Sequence, residues 1–255
     1  MTWLEQLLVL AAGVAAGGIN TIVGSGTLIT FPTLLAFGLP PVTANVSNTI
    51  GLVPGSVSGV IGYRRELAGQ RSRLVQLGTA SLLGGITGAI LLLVLPAEAF
   101  KAIVPVLIIA ALILVVVQPR LAAWVKRRRS DDDVAPPAHG GPILLVAVFG
   151  TGIYGGYFGA AQGVLLLGLL GVFVHEDIQR LNAVKNVLAL IVNAVSASIF
   201  IVIAEVNWQA VALIAVGSII GGQLGARVGR KLPPNVLRAV IVVVGTVAVV
   251  RLLTS

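Results

Sequence analysis

The longest uncharged stretch of this chain constrains its fold more than any other feature. Between Gln6 and Tyr63 the sequence contains no Asp, Glu, Lys or Arg. An α-helix needs only about 20 apolar residues to cross the hydrocarbon core of a bilayer, so this stretch has room for more than one crossing. Of all 255 residues, 57% are hydrophobic and 10% are charged, whereas a soluble domain carries about 25% charged residues. The sequence therefore predicts an all-α polytopic membrane protein.

The residue types that are missing exclude several kinds of chemistry. The chain has no cysteine and only two histidines, His139 and His175, so a metal centre or a catalytic triad is not expected. The net charge of +8 comes from basic residues between apolar segments, where retention of Lys and Arg in the cytoplasm explains them. The surface that nucleic-acid binding needs is missing. We therefore expect no cofactor, no nucleic acid and no enzymatic activity.

Ten apolar segments, separated by charge, proline and glycine, organise the chain. A polar stretch that contains Lys126 and Asp133 divides them into five and five. It predicts a first transmembrane repeat at 1–118, a cytoplasmic linker at 119–141 and a second transmembrane repeat at 142–255. The predicted segments are 4–22, 27–38, 42–62, 74–95, 100–117, 142–160, 163–173, 180–203, 207–227 and 234–253.

The two halves of the sequence resemble each other. A shift of 137 residues places Asn45 on Asn182 and Gly26 on Gly163. The register continues without a gap as far as Pro96, which falls on Pro233, and it includes a matched pair of Gly-x-x-x-Gly motifs. Any single glycine match is weak in a membrane sequence, but a register of this length indicates duplication of one unit. The glycine motifs themselves predict close helix packing.

Loop charge predicts that the two copies have opposite orientations. The loop 64–73 carries four arginines, while its counterpart near Glu205 carries no Lys or Arg. Conversely, the loop at Pro96 is poor in positive charge, whereas its counterpart at 227–231 carries three basic residues. Because positive loops stay in the cytoplasm, equivalent loops lie on opposite sides of the membrane. We expect inverted-topology repeats in the inner membrane, with both termini extracytoplasmic.

Two segments, 27–38 and 163–173, are too short to span the membrane as helices. At 1.5 Å per residue they cover about half of a ~30 Å hydrocarbon core. Each follows a bend, at 24–26 in the first repeat and at 160–163 in the second. Short, interrupted segments at matched positions mark the binding site of many transporters. We expect a re-entrant helix hairpin in each repeat, with exposed amides at the helix N-termini, 27–28 and 164–165, that favour an anion. Full crossing is the alternative that stays open.

Polar residues near the bends complete the predicted site. Ser25 and Gln162 occupy equivalent points in the repeat alignment and are candidate hydrogen-bond donors, with a self-capped turn as the alternative for Ser25. Lys185 is the single charge well inside a segment; snorkelling is the alternative to anion binding. No Asp or Glu lies near it to supply a charge partner. The candidate residues are Gly24, Ser25, Gly26, Asn45, Asn48, Gln162, Gly163, Lys185 and Asn186.

Several motifs resemble the TauE/SafE sulfite exporter family. In the first half they are residues 18–32, 38–41 and 44–48, and in the second half 154–163 and 182–186. The resemblance implies a membrane carrier for small organosulfur compounds and sulfur oxyanions, mainly an exporter. It also implies that the transport site includes Asn20, the Gly24–Gly26 bend, Asn48, Gln162 and Lys185.

These observations predict a transporter that exports a small anion, such as sulfite or an organosulfonate, by alternating access at a midplane site. The expected partners are this anionic substrate, the lipid bilayer and a second copy in a homodimer. One alternative is a drug/metabolite-type exporter of another small organic solute, which also has two inverted five-helix halves. The other is a membrane-embedded enzyme acting on lipid phosphate, but no cluster of carboxylate, Ser/His and Arg groups lies within the segments.

Overall fold

The computed structural model describes residues 1–131, 140–228, 242–243 and 246, and its secondary structure there is helical, without a strand. This confirms the all-α prediction. In the part of the chain that the structure describes, five helices are long and apolar enough to cross a membrane: α1, α4, the first part of α5, α8 and α9. The helices assigned within the described residues are α1 (Trp3–Ile22), α2 (Thr27–Ala36), α3 (Pro41–Gly62), α4 (Arg71–Val94), α5 (Ala97–Asp131), α6 (Gly141–Tyr157), α7 (Gln162–Phe173), α8 (Ile178–Ile203) and α9 (Trp208–Val228).

Most helix boundaries follow local sequence chemistry. Helix α1 begins with a capping box, in which the Glu5 N–H donates to the Thr2 hydroxyl at 3.3 Å and the Thr2 N–H donates to the Glu5 carboxylate at 2.7 Å. Helix α3 begins at Pro41, a residue suited to the first helical position. Helix α8 is capped by the side chain of Asp177. Most of the tenth predicted segment, 234–253, together with Arg230 and Lys231, lies outside the described residues.

Helix α5 is longer than the sequence predicted. The apolar segment was expected to end at residue 117 and a linker to begin at 119, but the helix continues to Asp131. Leu, Ala, Lys and Arg predominate after Pro119, and these residues favour a helix even where they meet water. Charge there indicates solvation rather than a helix end. The remaining part of the predicted linker, 132–139, lies outside the described residues.

Glycine contacts fix the directions of α1, α3 and α9. Gly13 of α1 lies against Ile214 of α9, and Gly17 lies against Ser218, so the two helices are parallel. Helix α3 meets the same two residues of α9 in the same order. Glycine lets these backbones approach closely, as small residues do in membrane helix pairs. The three helices therefore run in one direction.

The other set of helices runs the opposite way. Gly84 of α4 lies against Phe149 of α6, and Gly88 lies against Ile153, so α4 and α6 are parallel. Helix α8 is also parallel to α4. The two sets use corresponding helix pairs. Helix α9 packs against α1 and α3, and α4 packs in the same way against α6 and α8. The two sets meet where α3 packs on α8. Because α3 and α4 are joined by a short loop at 63–70, the two sets are antiparallel.

The two ends of the bundle differ in charge. At one end, Arg73 forms an ion pair with Glu176 at 3.4 Å, and Arg180 donates to the carbonyl of Ala68 at 3.1 Å, which joins the α3–α4 loop to the start of α8. We call this the arginine end; the basic residues at or next to its helix termini are Arg64, Arg65, Arg71, Arg73, Arg180 and Arg227. The opposite, glutamate end carries Glu5, Glu98, Lys101 and Glu205.

Two helix hairpins enter the bundle from opposite ends. In hairpin one, α1 starts at the glutamate end, and α2 leads back to the start of α3 at that same end. In hairpin two, α6 starts at the arginine end, and α7 ends just before Glu176 at that end. Helices α2 and α7 have 10 and 12 residues, or about 15 and 18 Å of length. Both short segments therefore return rather than cross.

Candidate functional site

The two hairpins touch at their bends. The N–H of Gly163 donates to the carbonyl of Gly24 at 3.0 Å. A Cβ atom on either glycine would overlap the backbone of the other, and Gly24 also has a φ of +86°, which favours glycine. An edge-to-face pair of Phe31 and Phe158, with ring centroids 5.2 Å apart, packs the hairpins together. Both predicted glycines therefore serve the contact between hairpins.

The bends are built alike but not in the register that the sequence alignment gave. Each has four residues, 23–26 and 158–161, and each contains a glycine with positive φ whose N–H donates five residues back at 3.0 Å. Gln162 is the first residue of α7, whereas Ser25 lies two residues before α2. The equivalence of these two residues is therefore wrong, and so is that of Gly26 and Gly163.

The cause of the register change is the length of the entering helices. Helix α1 continues for four residues after the glycine pair that ends at Gly18, whereas α6 continues for only one residue after Gly156. Hairpin one therefore has almost one extra helical turn before its bend. The glycine pairs that align in the sequence do not bring the following residues into alignment.

Ser25 and Gln162 are buried donors without a partner. Their side chains are 1% and 3% exposed, and neither the Ser25 hydroxyl nor the Gln162 amide nitrogen bonds to any part of the chain that the structure describes. Ser25 is not the cap of α2, since that position is Gly26 and has no side-chain cap. An unpaired buried polar group costs about 1–3 kcal/mol. Such groups indicate a place where a ligand or water supplies the missing bond.

Lys185 is fully buried rather than snorkelling. Its exposure is 0%, and its ammonium donates to the carbonyls of Asn20 at 3.1 Å and Thr21 at 3.3 Å. These carbonyls lie in the last turn of α1, where the helix dipole is negative. The acceptors that the structure shows for this lysine are backbone oxygens, which carry no sequence signature.

Three donors from one face of α8 share a single acceptor. The carbonyl of Thr21 receives Lys185 and the side-chain amides of Asn182 and Asn186, all at 3.3 Å. A carbonyl oxygen has two lone pairs, so three donors cannot all bond to it at full strength. At least one of these donors is available to a bound group.

Asn45 makes the corresponding contact to the other hairpin. Its amide donates to the carbonyl of Tyr157, the last residue of α6, at 3.0 Å. Asn45 and Asn182 each thus bond to the end of the entering helix of the hairpin in the other half of the chain. The amide oxygens of both remain without a partner in the described part of the chain. These two buried acceptors add to the unpaired donors in the centre of the bundle.

Asn48 and Gly26 have partners within hairpin one. The Asn48 amide donates to the Thr27 hydroxyl at 3.3 Å, and the Thr30 hydroxyl donates to the Asn48 oxygen. Gly26 lies against α1 at Ala16. Both predicted residues therefore join α1, α2 and α3. The two threonines were missed, because nothing in the sequence distinguishes them from other threonines in apolar segments.

The helix N-termini are less open than expected. The N–H of Leu28 donates to Ser25 at 3.1 Å, and the N–H groups of Gln162, Gly163 and Val164 donate to backbone carbonyls at 3.0–3.2 Å. The prediction of exposed amides is therefore wrong for Leu28 at the start of α2 and for Val164 and Leu165 at the start of α7. The dipoles of α2 and α7 still point their positive ends at the bends.

Comparisons with known proteins agree with these features. The family model described as "Sulfite exporter TauE/SafE" matches residues 9–252. The chain is 28% identical over 246 residues to the "Probable membrane transporter protein YfcA" of Escherichia coli K12, covering 93% of this chain and 86% of that protein. It is 25% identical over 244 residues to the "Probable membrane transporter protein ORF9" of a Sinorhizobium species, covering 96% and 90%. No solved structure matches it.

A third relative is the "Probable membrane transporter protein" of Haemophilus influenzae, 24% identical over 236 residues, with 92% and 89% covered. The family and all three relatives are described as transporters or exporters, which confirms that the chain is a membrane transporter and not an enzyme. Because the family model covers almost the whole sequence, this chain belongs to the sulfite exporter TauE/SafE family.

Proposed function

We propose that this transporter exports a small oxyanion, with sulfite or an organosulfonate as the substrate class. The observation that carries the proposal is Lys185, whose ammonium is wholly buried next to the contact between the two hairpins. A charged side chain inside a membrane bundle is usually functional, because burial of the charge is otherwise costly. The backbone carbonyls that it meets carry only partial charge, and an anion would complete the neutralisation.

The groups around Lys185 favour an anion over a cation. Ser25 and Gln162 supply unpaired donors, and the α8 face supplies one more donor than Thr21 can accept. The positive ends of α2 and α7 add to this field. The carboxylates of the described chain lie at helix ends or in loops, at a distance from the bends. A sulfur oxyanion offers several acceptor oxygens to such a set.

We propose two inverted repeats and alternating access as the mechanism. The opposite directions of α1 and α6, of α3 and α8, and of α4 and α9 support the inversion. Asn45 and Asn182 each form a hydrogen bond from one repeat to the hairpin of the other repeat. Rocking of one repeat against the other would break these two hydrogen bonds in turn. The positive-inside rule puts the arginine end in the cytoplasm, which makes the N-terminus extracytoplasmic in an inner membrane.

Export of an anion needs no proton relay. Moving one negative charge outward across an inside-negative potential of 100 mV yields about 2.3 kcal/mol. This is enough for about a fiftyfold concentration ratio, because each 1.4 kcal/mol corresponds to tenfold. A uniporter driven by the potential therefore suffices, and coupling to protons is the alternative that flux at matched potentials and different pH gradients distinguishes.

The proposal is tested with purified protein in proteoliposomes. Sulfite, thiosulfate, sulfoacetate, a small carboxylate, a neutral metabolite and an organic cation are loaded in turn, and efflux is followed under a potassium diffusion potential. A sulfur oxyanion is expected to leave faster than from protein-free vesicles and to raise the thermal midpoint of the protein. Transport of the neutral or cationic solute without any of the anions would instead support the drug/metabolite-type exporter.

A further inference from the structure

A cavity of about 480 Å³ opens at the glutamate end, away from the bends. It is lined by the start of α3, the end of α4, the start of α5 and the residues after α8, so both repeats contribute to it. The side chains that matter here are Pro41, Thr43, Glu98, Lys101 and Glu205. Nothing in the transport site described above uses these residues.

Helix α3 connects the cavity wall with the tip of hairpin two. Pro41, Asn45 and Asn48 are four and three residues apart and therefore share one face of α3. Pro41 lines the cavity, and Asn45, one turn further along, binds the last residue of α6. The polar face of α3 thus leads from the cavity towards the place where the hairpins meet.

The size of the cavity decides between a binding pocket and a vestibule. At about 30 Å³ for each water molecule, 480 Å³ holds about 16 waters. An oxyanion with three or four oxygens is several times smaller than this space. The cavity walls therefore cannot strip and replace its hydration shell, and an anion within the cavity keeps most of its water.

The charges on the walls oppose retention of an anion. Glu98, Glu205 and Lys101 are all exposed, and together they give the walls a formal charge of −1. We propose that the cavity is the outer vestibule of the transport pathway, and that its negative charge speeds release and opposes re-entry of the anion. This proposal rests on the proposed anion export. In this proposal Glu98 and Glu205 lower the apparent affinity for external anion and are not binding residues, while the membrane potential sets the direction of transport.

The absence of cysteine in the chain permits a direct test of the route. Ala204→Cys places a single thiol on the cavity wall, and Val202→Cys, two residues earlier on α8 and 82% exposed outside the cavity, is the matched control. Intact cells and proteoliposomes are treated with an anionic, membrane-impermeant methanethiosulfonate. We expect the reagent to modify Ala204→Cys from outside and to reduce anion flux at least tenfold, while Val202→Cys under lipid reacts slowly and keeps its flux.

Two results would overturn the vestibule while leaving anion transport intact. One is modification of Ala204→Cys from outside with no change in flux, since the cavity would then be off the pathway. The other is modification only after permeabilisation, which would put the cavity on the inner side. If the unmodified protein moves none of the anions, the proposed function fails first, and that result is read from the wild-type vesicles alone.

The charge of the walls is tested separately by the external anion concentration that half-inhibits efflux. One charge at about 7 Å in water changes the local anion concentration about threefold. Glu205→Gln and Glu98→Gln are each expected to lower the half-inhibiting concentration by about that factor, and Lys101→Gln to raise it. Raising the salt concentration should reduce all three effects. Equal values in wild type and in all three variants would overturn the role of charge.

Discussion

The ends of α1 and α6 occupy corresponding places in the two hairpins, but their surroundings differ in charge. The last turn of α1 receives an ammonium and two amides from α8. The last turn of α6 receives the Asn45 amide from α3. At the position that matches Lys185, α3 has Asn48, which is bonded to α2 in the same half of the chain. The helix arrangement is therefore similar at the two ends, whereas the positive charge is present only at the end of α1.

This difference in charge between the two helix ends indicates where an anion would be bound. A purely symmetric pair of hairpins would offer two equal half-sites. Here the positive charge lies on α8 alone and reaches across to hairpin one, so the proposed site is displaced towards Lys185, the end of α1 and the Gly24–Gly163 contact. Hairpin two contributes an unpaired donor, Gln162, but no charge.

The largest expected change in stability tests the contact that both hairpins share. Gly24→Ala would push a methyl group into the backbone of Gly163 and would also require positive φ. We expect a loss of about 3 kcal/mol from overpacking and strain combined. Gly38→Ala is the matched control, because Gly38 has a φ of +81° but open space around it, and it should lose only about 1 kcal/mol. Thermal denaturation in detergent measures the stability of both variants. Equal losses would show that the contact between the two glycines does not stabilise the protein.

A smaller effect distinguishes the two helix ends. Asn45→Ala would leave the buried carbonyl of Tyr157 without this donor, and should destabilise by about 1–3 kcal/mol. Asn182→Ala should cost only about 0.5 kcal/mol, because Lys185 and Asn186 still bond to the same acceptor. The comparison is made by thermal denaturation of the two variants side by side. A larger loss for Asn182→Ala would contradict the surplus of donors at α1.

The smallest effect concerns the bend of hairpin two. Ala161 has a φ of +58°, whereas Gly26, the corresponding cap of α2, has a φ of −59°. Ala161→Gly should relieve about 1–2 kcal/mol of backbone strain but lose part of it to the entropy of the unfolded chain, which leaves a gain of about 0.5 kcal/mol. Ala160→Gly, at the neighbouring position without positive φ, should destabilise. A fall in the thermal midpoint of Ala161→Gly would show that the bend needs the methyl group.

The sequence predicted the described helices well because apolar length, glycine and proline act locally. Helices α2 and α7 were recognised as short from residues 27–38 and 163–173 alone, and the structure gives Thr27–Ala36 and Gln162–Phe173. The end of α5 was missed because charged residues such as Lys126 to Arg129 continue a helix as readily as they mark its contact with water.

The site was predicted less completely, because many of its contacts involve backbone groups. Lys185 stood out in the sequence as the single charge well inside a segment, but its acceptors are carbonyls that every residue carries. The Gly24–Gly163 contact depends on how two hairpins meet in space, which no local pattern encodes. The alignment that equated Ser25 with Gln162 failed because α1 is longer than α6 beyond its glycine pair.

The most direct test of the central claim is anion flux through Lys185→Ala in proteoliposomes. At an effective dielectric constant of about 20 and 4 Å, one charge contributes about 4 kcal/mol, so flux should fall at least about a hundredfold. Ser198→Ala, on an exposed face of the same helix, should transport like wild type, and the thermal midpoints should show that both variants are folded. Transport by Lys185→Ala within a few-fold of wild type would contradict the assignment of the anion to this lysine.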